Sequence, residues 1–266
     1  MRPTIVKLGG SAITDKSNKC TPKLSIIQNA IDQIAKFEGP LILLHGGGSF
    51  AHPFVTQVGL HKGYRGRFQL RSISETEMYL DQLTRIIGAG LLLTERPFAP
   101  ISPMSFLLLR NGQVSQAFLE PIERALDLGM IPLIHGDLVF DRAKGLGVVS
   151  ADKLASLLGT RFGASRVLFG CDVDGVFSRD PKTSAKAELL GVITRKDYRL
   201  VLKTVARNRG RDATGGMFSK VAEAIQLAEN GVESFIFNVK RREFLSDALT
   251  GRFPKGTLFV PWKGRN

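Results

Sequence analysis

Cysteine is nearly absent from the 266-residue chain, which holds only Cys20 and Cys171. Two thiols make no disulfide framework and carry no metal-ligand spacing, so a stapled secreted scaffold is excluded and a reducing cytosol expected. Long apolar runs are also missing. No stretch approaches the roughly 18 residues that a membrane-spanning helix needs. Nor does a basic region, an apolar core or a small-residue cleavage site precede Thr4-Ile-Val-Lys-Leu8, so no leader is expected. The expectation is a cytoplasmic protein with no membrane partner. Acidic residues are scarce too: 24 Asp and Glu stand against 37 Lys and Arg, a net charge of +13. Such a balance draws anions, whether nucleic acid, acidic membrane or phosphorylated small molecules.

The standard phosphate-handling motifs are missing as well. No G-x-x-x-x-G-K-[ST] run exists, which excludes a P-loop enzyme. The V-A-I-K, H-R-D and D-F-G elements of protein kinases are absent. Gly46-Gly-Gly-Ser-Phe-Ala51 fits a dinucleotide fingerprint in outline. However, Pro53 interrupts the helix that should follow, and the next acidic residue, Glu75, stands too far on for the ribose contact. The densest basic stretch, Arg195 to Arg211, places Tyr198, Val201, Leu202, Val205 and Ala206 on one helical face, which reads as a surface helix with a solvated basic side. It lacks interleaved aromatic residues, so a nucleic-acid partner is not expected.

What is present alternates strands and helices, the pattern of a mainly parallel sheet covered on both faces. Thr4–Leu8, Leu41–Leu44, Ile131–Ile134, Arg166–Phe169, Phe235–Asn238 and Thr257–Val260 read as strands. Thr21 with Pro22 predicts one helix start, and Ser74 with Glu77 another in capping-box form. The second of these helices carries Met78, Leu80, Leu83, Ile87 and Leu91. Ser150 opens a further helix, and Gly129 and Gly231 end others. Hairpins are expected around Asn111-Gly112 and Lys144-Gly145. One domain is predicted over residues 1–266, with a seam near residue 160 between an N-terminal and a C-terminal lobe.

Three glycine clusters follow strands or open helices: Gly9-Gly10-Ser11, Gly46-Gly47-Gly48-Ser49 and Gly215-Gly216. Glycine lets backbone N–H groups approach a phosphate, and a helix N-terminus adds a favourable dipole. At the C-terminal ends of strands in an open sheet, such loops converge where ligands bind. Lysines stand beside them. Lys7 lies inside an apolar strand, a costly place for an ammonium unless an anion or a carboxylate such as Asp152 meets it. Lys16 follows in the loop, and Lys220 sits four residues after Gly216. His52, after the second glycine turn, suits a phosphate donor better than a base.

The ordered set Lys7-Leu-Gly-Gly-Ser11, His45-Gly-Gly-Gly-Ser-Phe-Ala-His-Pro53, Gly136-Asp137, Ser150-Ala-Asp152, Asp172-Val-Asp-Gly-Val-Phe177 and Asp212-Ala-Thr-Gly-Gly-Met217 with Lys220 resembles the amino acid kinase superfamily. Within it the loop Gly46 to Pro53, with Thr14-Asp15-Lys16 upstream, is similar to the isopentenyl phosphate kinases of the archaeal-type mevalonate route. The resemblance implies a three-layer α-β-α sandwich with a central, mainly parallel sheet, binding its acceptor in the N-terminal lobe and ATP in the C-terminal one. It implies Mg2+ alongside ATP, a homodimer, and phosphorylation of isopentenyl phosphate to the diphosphate. Lys7, Leu8, Gly9, Gly10, Ser11, Gly216 and Lys220 would hold ATP phosphates, Asp172 would touch the nucleotide and Gly48 would lie against the transferring group. Lys16 would stabilise the transition state, Asp152 would orient the lysines, and Gly47, His52 and the backbone at Ala151 would meet the acceptor. No residue is expected to be a metal ligand. Ala51 and Ala151 stand where that subgroup more often has glycine, which matters if either backbone must take a positive φ. The alternatives are a kinase for another small phosphate or phosphonate, of the fosfomycin type, and a non-catalytic basic nucleic-acid-binding protein.

Overall fold

The structure, a computed structural model, describes residues 2–179, 181, 184, 186–207 and 216–262. Gly215, the Asp212–Gly215 run and the basic residues Arg209 and Arg211 lie outside these described residues.

Twelve strands form among them. They are β1 (Thr4–Leu8), β2 (Leu41–His45), β3 (Phe98–Pro100), β4 (Leu107–Arg110), β5 (Gln113–Ala117), β6 (Ile131–His135), β7 (Asp137–Asp141), β8 (Gly145–Val149), β9 (Arg166–Cys171), β10 (Val192–Ile193), β11 (Ser234–Asn238) and β12 (Gly256–Phe259). Eight make the main sheet in the order β10-β12-β11-β9-β1-β2-β6-β3, and β5-β4-β7-β8 make a smaller one. Every pairing in the main sheet is parallel except β11 with β12. The α-helices are α1 (Gly10–Ile13), α2 (Leu24–Ala35), α3 (His52–Gln57), α4 (Leu70–Leu93), α5 (Pro103–Phe106), α6 (Glu120–Asp127), α7 (Ala151–Arg161), α8 (Tyr198–Arg207), α9 (Gly216–Glu229) and α10 (Phe244–Leu249).

The apolar strands β1, β2 and β6 are buried along their whole length, as parallel strands covered on both faces must be. Their side chains alternate between two cores. Ile5 joins Leu154 of α7, Val201 of α8 and Val221 of α9, while Val6 and Leu8 join Ile31 of α2, Leu83 of α4 and Leu245 of α10. This is the three-layer sandwich that the sequence implies. The alternation also puts Lys7 on the α7/α9 side.

Several local expectations hold. Asn111 and Gly112 both adopt positive φ in the β4–β5 hairpin, and Gly145 does so as the first residue of β8. Ser150 caps α7, its Oγ accepting from Lys153 N at 3.1 Å. Asp141 ties the two hairpins together by accepting from the backbone N–H of Asn111, Gly112, Ala143 and Lys144.

Others are corrected. α2 starts at Leu24 because Pro22 bridges to Thr14 and so belongs to an extended segment. Pro53 sits in the first turn of α3, where its missing N–H has no helical partner to lose, so it starts that helix instead of breaking it. Ser74 is inside α4, not at its start. The Ser–x–x–Glu spacing of a capping box is equally the spacing of two residues on one face of a helix interior. Of the apolar residues on this helix, Met78 is 70% exposed, while Leu80, Leu83, Ile87 and Leu91 are buried.

Candidate active site

Lys7, Asp152 and Lys220 meet at one buried point. Lys7 Nζ lies 2.8 Å from Asp152 Oδ1, and Lys220 Nζ donates to Asp152 Oδ1 and Oδ2 at 2.9 and 3.0 Å. The Lys7–Asp152 pair weighed from sequence is therefore real, and it recruits Lys220 as well. β1 delivers Lys7 by alternation, the Ser150 cap places Asp152 in the first turn of α7, and Lys220 lies on the second turn of α9. Lys220 also stands 5.7 Å from the centre of the Phe169 ring.

Electrostatics follow from two ammoniums sharing one carboxylate. Burial would raise the Asp152 carboxyl, but Lys220 and Lys7 outweigh it and hold it at about 2. Burial, helped by the charge of Lys220 and opposed by Asp152, brings Lys7 down to about 8. Burial also pulls Lys220 down, yet Asp152 and its other neighbours leave it above the ordinary lysine value. At neutral pH the cluster holds one positive charge in excess, ready for an anion.

Two glycine loops flank Lys7. β1 pairs with β2 on one side and β9 on the other, so the Gly9-Gly10 and Gly46–Gly48 turns leave neighbouring strand ends. They are packed main chain on main chain. A Cβ on Gly10 would lie 2.5 Å from Gly48 N, and one on Gly46 would lie 2.8 Å from Gly10 N. Gly48 has φ +51, and a Cβ there would strike Thr14 Oγ1. Part of this glycine content therefore serves contact between the loops. Thr14, part of the upstream motif but given no role there, clasps them: its buried hydroxyl donates to Gly10 O at 2.7 Å and accepts from Ser49 N at 3.0 Å. Its role is not marked locally, because Ser49 becomes its neighbour only in the fold.

Leu8 has its side chain in the core and its carbonyl accepting from Gly46 N, so only its main-chain position bears on the site. Ser11 Oγ donates to Asp172 Oδ1 at 3.2 Å, joining the first loop to the segment after β9. Burial opposes ionisation of Asp172, but a backbone N–H, Lys240, Lys16 and Ser11 together hold it below the usual carboxylate range. Asp174, two residues on, fixes that segment by accepting from Arg241 Nε and Nη2 at 2.9 and 2.8 Å and from Asn238 Nδ2 at 3.0 Å. Lys16 is exposed in the loop after α1, and His52 is exposed at the head of α3. Gly47 lies over Leu80 of α4, and Gly216 opens α9 with φ 36. Ala51 has φ −126 and Ala151 has no positive φ, so neither position needs the backbone freedom of glycine. Ala151 N faces Gly136 closely enough that a Cβ on the glycine would lie 2.6 Å away.

A buried ammonium pair on one carboxylate, between glycine turns at parallel strand ends, is equipped to hold two anions close together. The sequence profile of the amino acid kinase family matches residues 2–238. The chain belongs to the amino acid kinase family. An isopentenyl phosphate kinase of Methanothermobacter thermautotrophicus is 33% identical over 95% of this chain and 97% of its own length. One from Methanocaldococcus jannaschii is 28% identical over 93% and 95%. A solved isopentenyl phosphate kinase superposes with a TM-score of 0.83 at 30% identity, covering 97% of this chain and 99% of that one. The main sheet is thus that of an amino acid kinase fold, and the Lys7–Asp152–Lys220 cluster lies within it. Among the described residues, no group of three or more His, Cys, Asp or Glu side chains is placed to hold a metal ion, and no helix is long and apolar enough to cross a membrane.

Proposed function

We propose that the chain transfers the γ-phosphoryl group of ATP to isopentenyl phosphate, yielding isopentenyl diphosphate and ADP. The observation that carries this reading is the meeting of Lys7 and Lys220 on Asp152 beside both glycine turns. Relatives named for this activity match nearly the whole chain.

Phosphoryl transfer asks for positioning and charge neutralisation more than for covalent help. An acceptor oxygen of isopentenyl phosphate attacks the γ-phosphorus, and the bond to the bridging oxygen of the β-phosphate breaks in line. With a second pKa near 6, the acceptor is already largely a dianion at neutral pH, so no strong base is required. In this reading Lys7, the Leu8–Ser11 main chain, Gly216 and Lys220 take the ATP phosphates, and Asp172 contacts the nucleoside. Gly47, His52 and the Ala151 main chain hold the acceptor phosphate, Gly48 faces the transferring group, and Lys16 reaches in from its loop. Asp152 holds the two ammoniums apart and aimed. Mg2+ bound with ATP would supply further charge neutralisation, and no side chain of this chain is assigned to hold it. A cytoplasmic homodimer with lobes meeting near residue 160 completes the proposal.

A coupled ADP-release assay across isopentenyl phosphate, dimethylallyl phosphate, fosfomycin, uridylate and acetylglutamate tests it. Isopentenyl phosphate is expected to give the highest kcat/KM. By analogy with lost oxyanion donors, Lys7→Met should fold and lose roughly 10²–10³ in turnover. A folded Lys7→Met enzyme with normal turnover rejects the assignment.

A further inference from the structure

Behind the glycine turn assigned to the acceptor lies a buried polar contact that phosphoryl transfer itself does not use. Like β1, β2 alternates between the two cores: Leu41 and Leu43 join the one on the α2/α4 side, Ile42 and Leu44 the other. His45, the last residue of β2, therefore points to the α4 side, the face opposite Lys7. It is fully buried, and its Nε2 lies 2.9 Å from Oγ1 of buried Thr84 on α4. Thr84 donates its one hydroxyl proton to Leu80 O at 3.0 Å. With that proton committed, the hydroxyl accepts from His45. Nε2 then carries the ring proton, and Nδ1 is a buried acceptor with no hydrogen-bond partner among the described residues.

The ring is neutral. Burial first, and then the His135 ring 5.7 Å away, bring it down to about 3, against a backbone contact at Gly46 that raises it. Its surroundings on this face are apolar: Leu41, Leu43, Leu83, Ile87 and Leu91. An apolar pair would fill the same place without burying any polar atom. A hydrogen bond adds direction, so the His45–Thr84 pair fixes one seating of α4 on the sheet where apolar contacts alone would allow several.

The end of β2 is tied sideways by its neighbours, with Gly136 N donating to His45 O at 3.0 Å and Gly46 N donating to Leu8 O at 2.9 Å. Those bonds lie in the sheet and leave the placement of α4 over it unset. Leu80 and Thr84 stand at i and i+4 on one face of α4. Leu80 meets the turn directly, since a Cβ on Gly47 would come within 2.9 Å of Leu80 Cδ2. We propose that Thr84 is a positioning residue for the acceptor: its hydroxyl, bonded to Leu80 O and to the His45 ring, ties α4 to the root of the glycine turn and so keeps Leu80 seated under Gly47. The inference rests on the assignment of Gly47 to the acceptor made under the proposed function. Lys7, Asp152 and Lys220 lie on the α7/α9 side of the sheet, so the tie bears on the acceptor and spares ATP.

The experiment measures KM for isopentenyl phosphate and for ATP, kcat and melting temperature on the full chain and three variants. Thr84→Val keeps the shape and removes the hydroxyl. It is expected to raise the acceptor KM roughly tenfold, the scale of one buried donor left unpaired, with ATP KM within about twofold of the wild type. Thr84→Ser keeps the hydroxyl and is expected to hold the acceptor KM within about twofold. The double variant His45→Leu/Thr84→Val replaces both partners by apolar groups, so no donor is stranded and its melting temperature should recover towards the wild type's. Its acceptor KM should stay raised, because the directional tie is gone.

An unchanged acceptor KM in Thr84→Val overturns the proposal, as do an equal rise in both KM values and a Ser variant impaired as badly as the Val one. An acceptor KM that recovers in the double variant along with its melting temperature also overturns it, since the contact would then be structural alone. Should Thr84→Val fail to fold, the double variant decides: a raised acceptor KM with normal ATP KM supports the proposal, and a normal acceptor KM or a second failure to fold overturns it. A wild type inactive on isopentenyl phosphate sinks the functional reading, whereas an active one with an indifferent Val variant sinks only this inference.

Discussion

Lys7 and Lys220 divide one carboxylate between them, and that sharing sets how the site responds to pH. With Lys7 lowered to about 8, the free enzyme loses part of its positive excess as pH rises through that value, while Asp152 stays ionised throughout. kcat/KM for ATP should therefore fall on the alkaline side with a midpoint near 8. Bound phosphates favour the charged lysine, so the corresponding fall in kcat should come at higher pH. A pH profile of both parameters checks this, and coincident midpoints would count against it. For stability the sign is opposite: between about 8 and 10.5 the unfolded chain holds the proton that folded Lys7 has lost, so this group's penalty eases as pH rises. Asp152→Asn removes the carboxylate bonded to two buried ammoniums, and breaking such a pair destabilises by about 3–5 kcal/mol. Thermal melting is expected to show that loss even without substrate.

Turns and helix ends decide where those groups sit. The clasp at Thr14 is the sharpest test at this scale. Thr14→Val keeps the shape but leaves Gly10 O without its side-chain donor and Ser49 N without its acceptor in a buried place. That should cost about 1–3 kcal/mol. It should also raise KM for both substrates, since it loosens both loops. Thermal melting and steady-state kinetics of the variant check the two effects. The elements also show what the sequence could disclose. Lys7 and the glycine turns were legible because a charge inside an apolar strand and glycines after it are local anomalies. Ser150 was legible because a cap is a local bond. Ser74 and Glu77 were misread as a capping box, since the same spacing recurs inside a helix. Thr14 and His45 stood in the motifs without a role, and Thr84 escaped altogether, because Ser49 and His45 reach these hydroxyls only across the fold.

Across the molecule, a net charge of +13 surrounds a site built for two phosphates. Both substrates are anions, so the surrounding field should speed their capture and be screened by salt, with a Debye length of about 8 Å at physiological ionic strength. Raising KCl from about 0.05 to 0.5 M should increase KM for ATP and for isopentenyl phosphate several-fold and change kcat less, because the buried cluster is shielded from solvent ions. A kcat that falls as steeply as 1/KM rises would argue that the charge acts mainly on chemistry. The main sheet was legible at this scale from strand–helix alternation. The antiparallel turn of β12 against β11 was not, because residue pattern alone does not record strand direction.

The strand β1 carries one more implication. Its residues obey a strict odd–even rule, and Lys7 shares the odd side with Ile5 while Val6 and Leu8 take the even side. Inserting or deleting one residue between Thr4 and Lys7 would turn the ammonium toward α2 and α4, away from Asp152, and send an aliphatic group into its place. Substitutions along this strand can be gradual, but a change in its length is all or nothing. The reading frame of a five-residue strand is thus as much a part of this catalyst as the lysine itself.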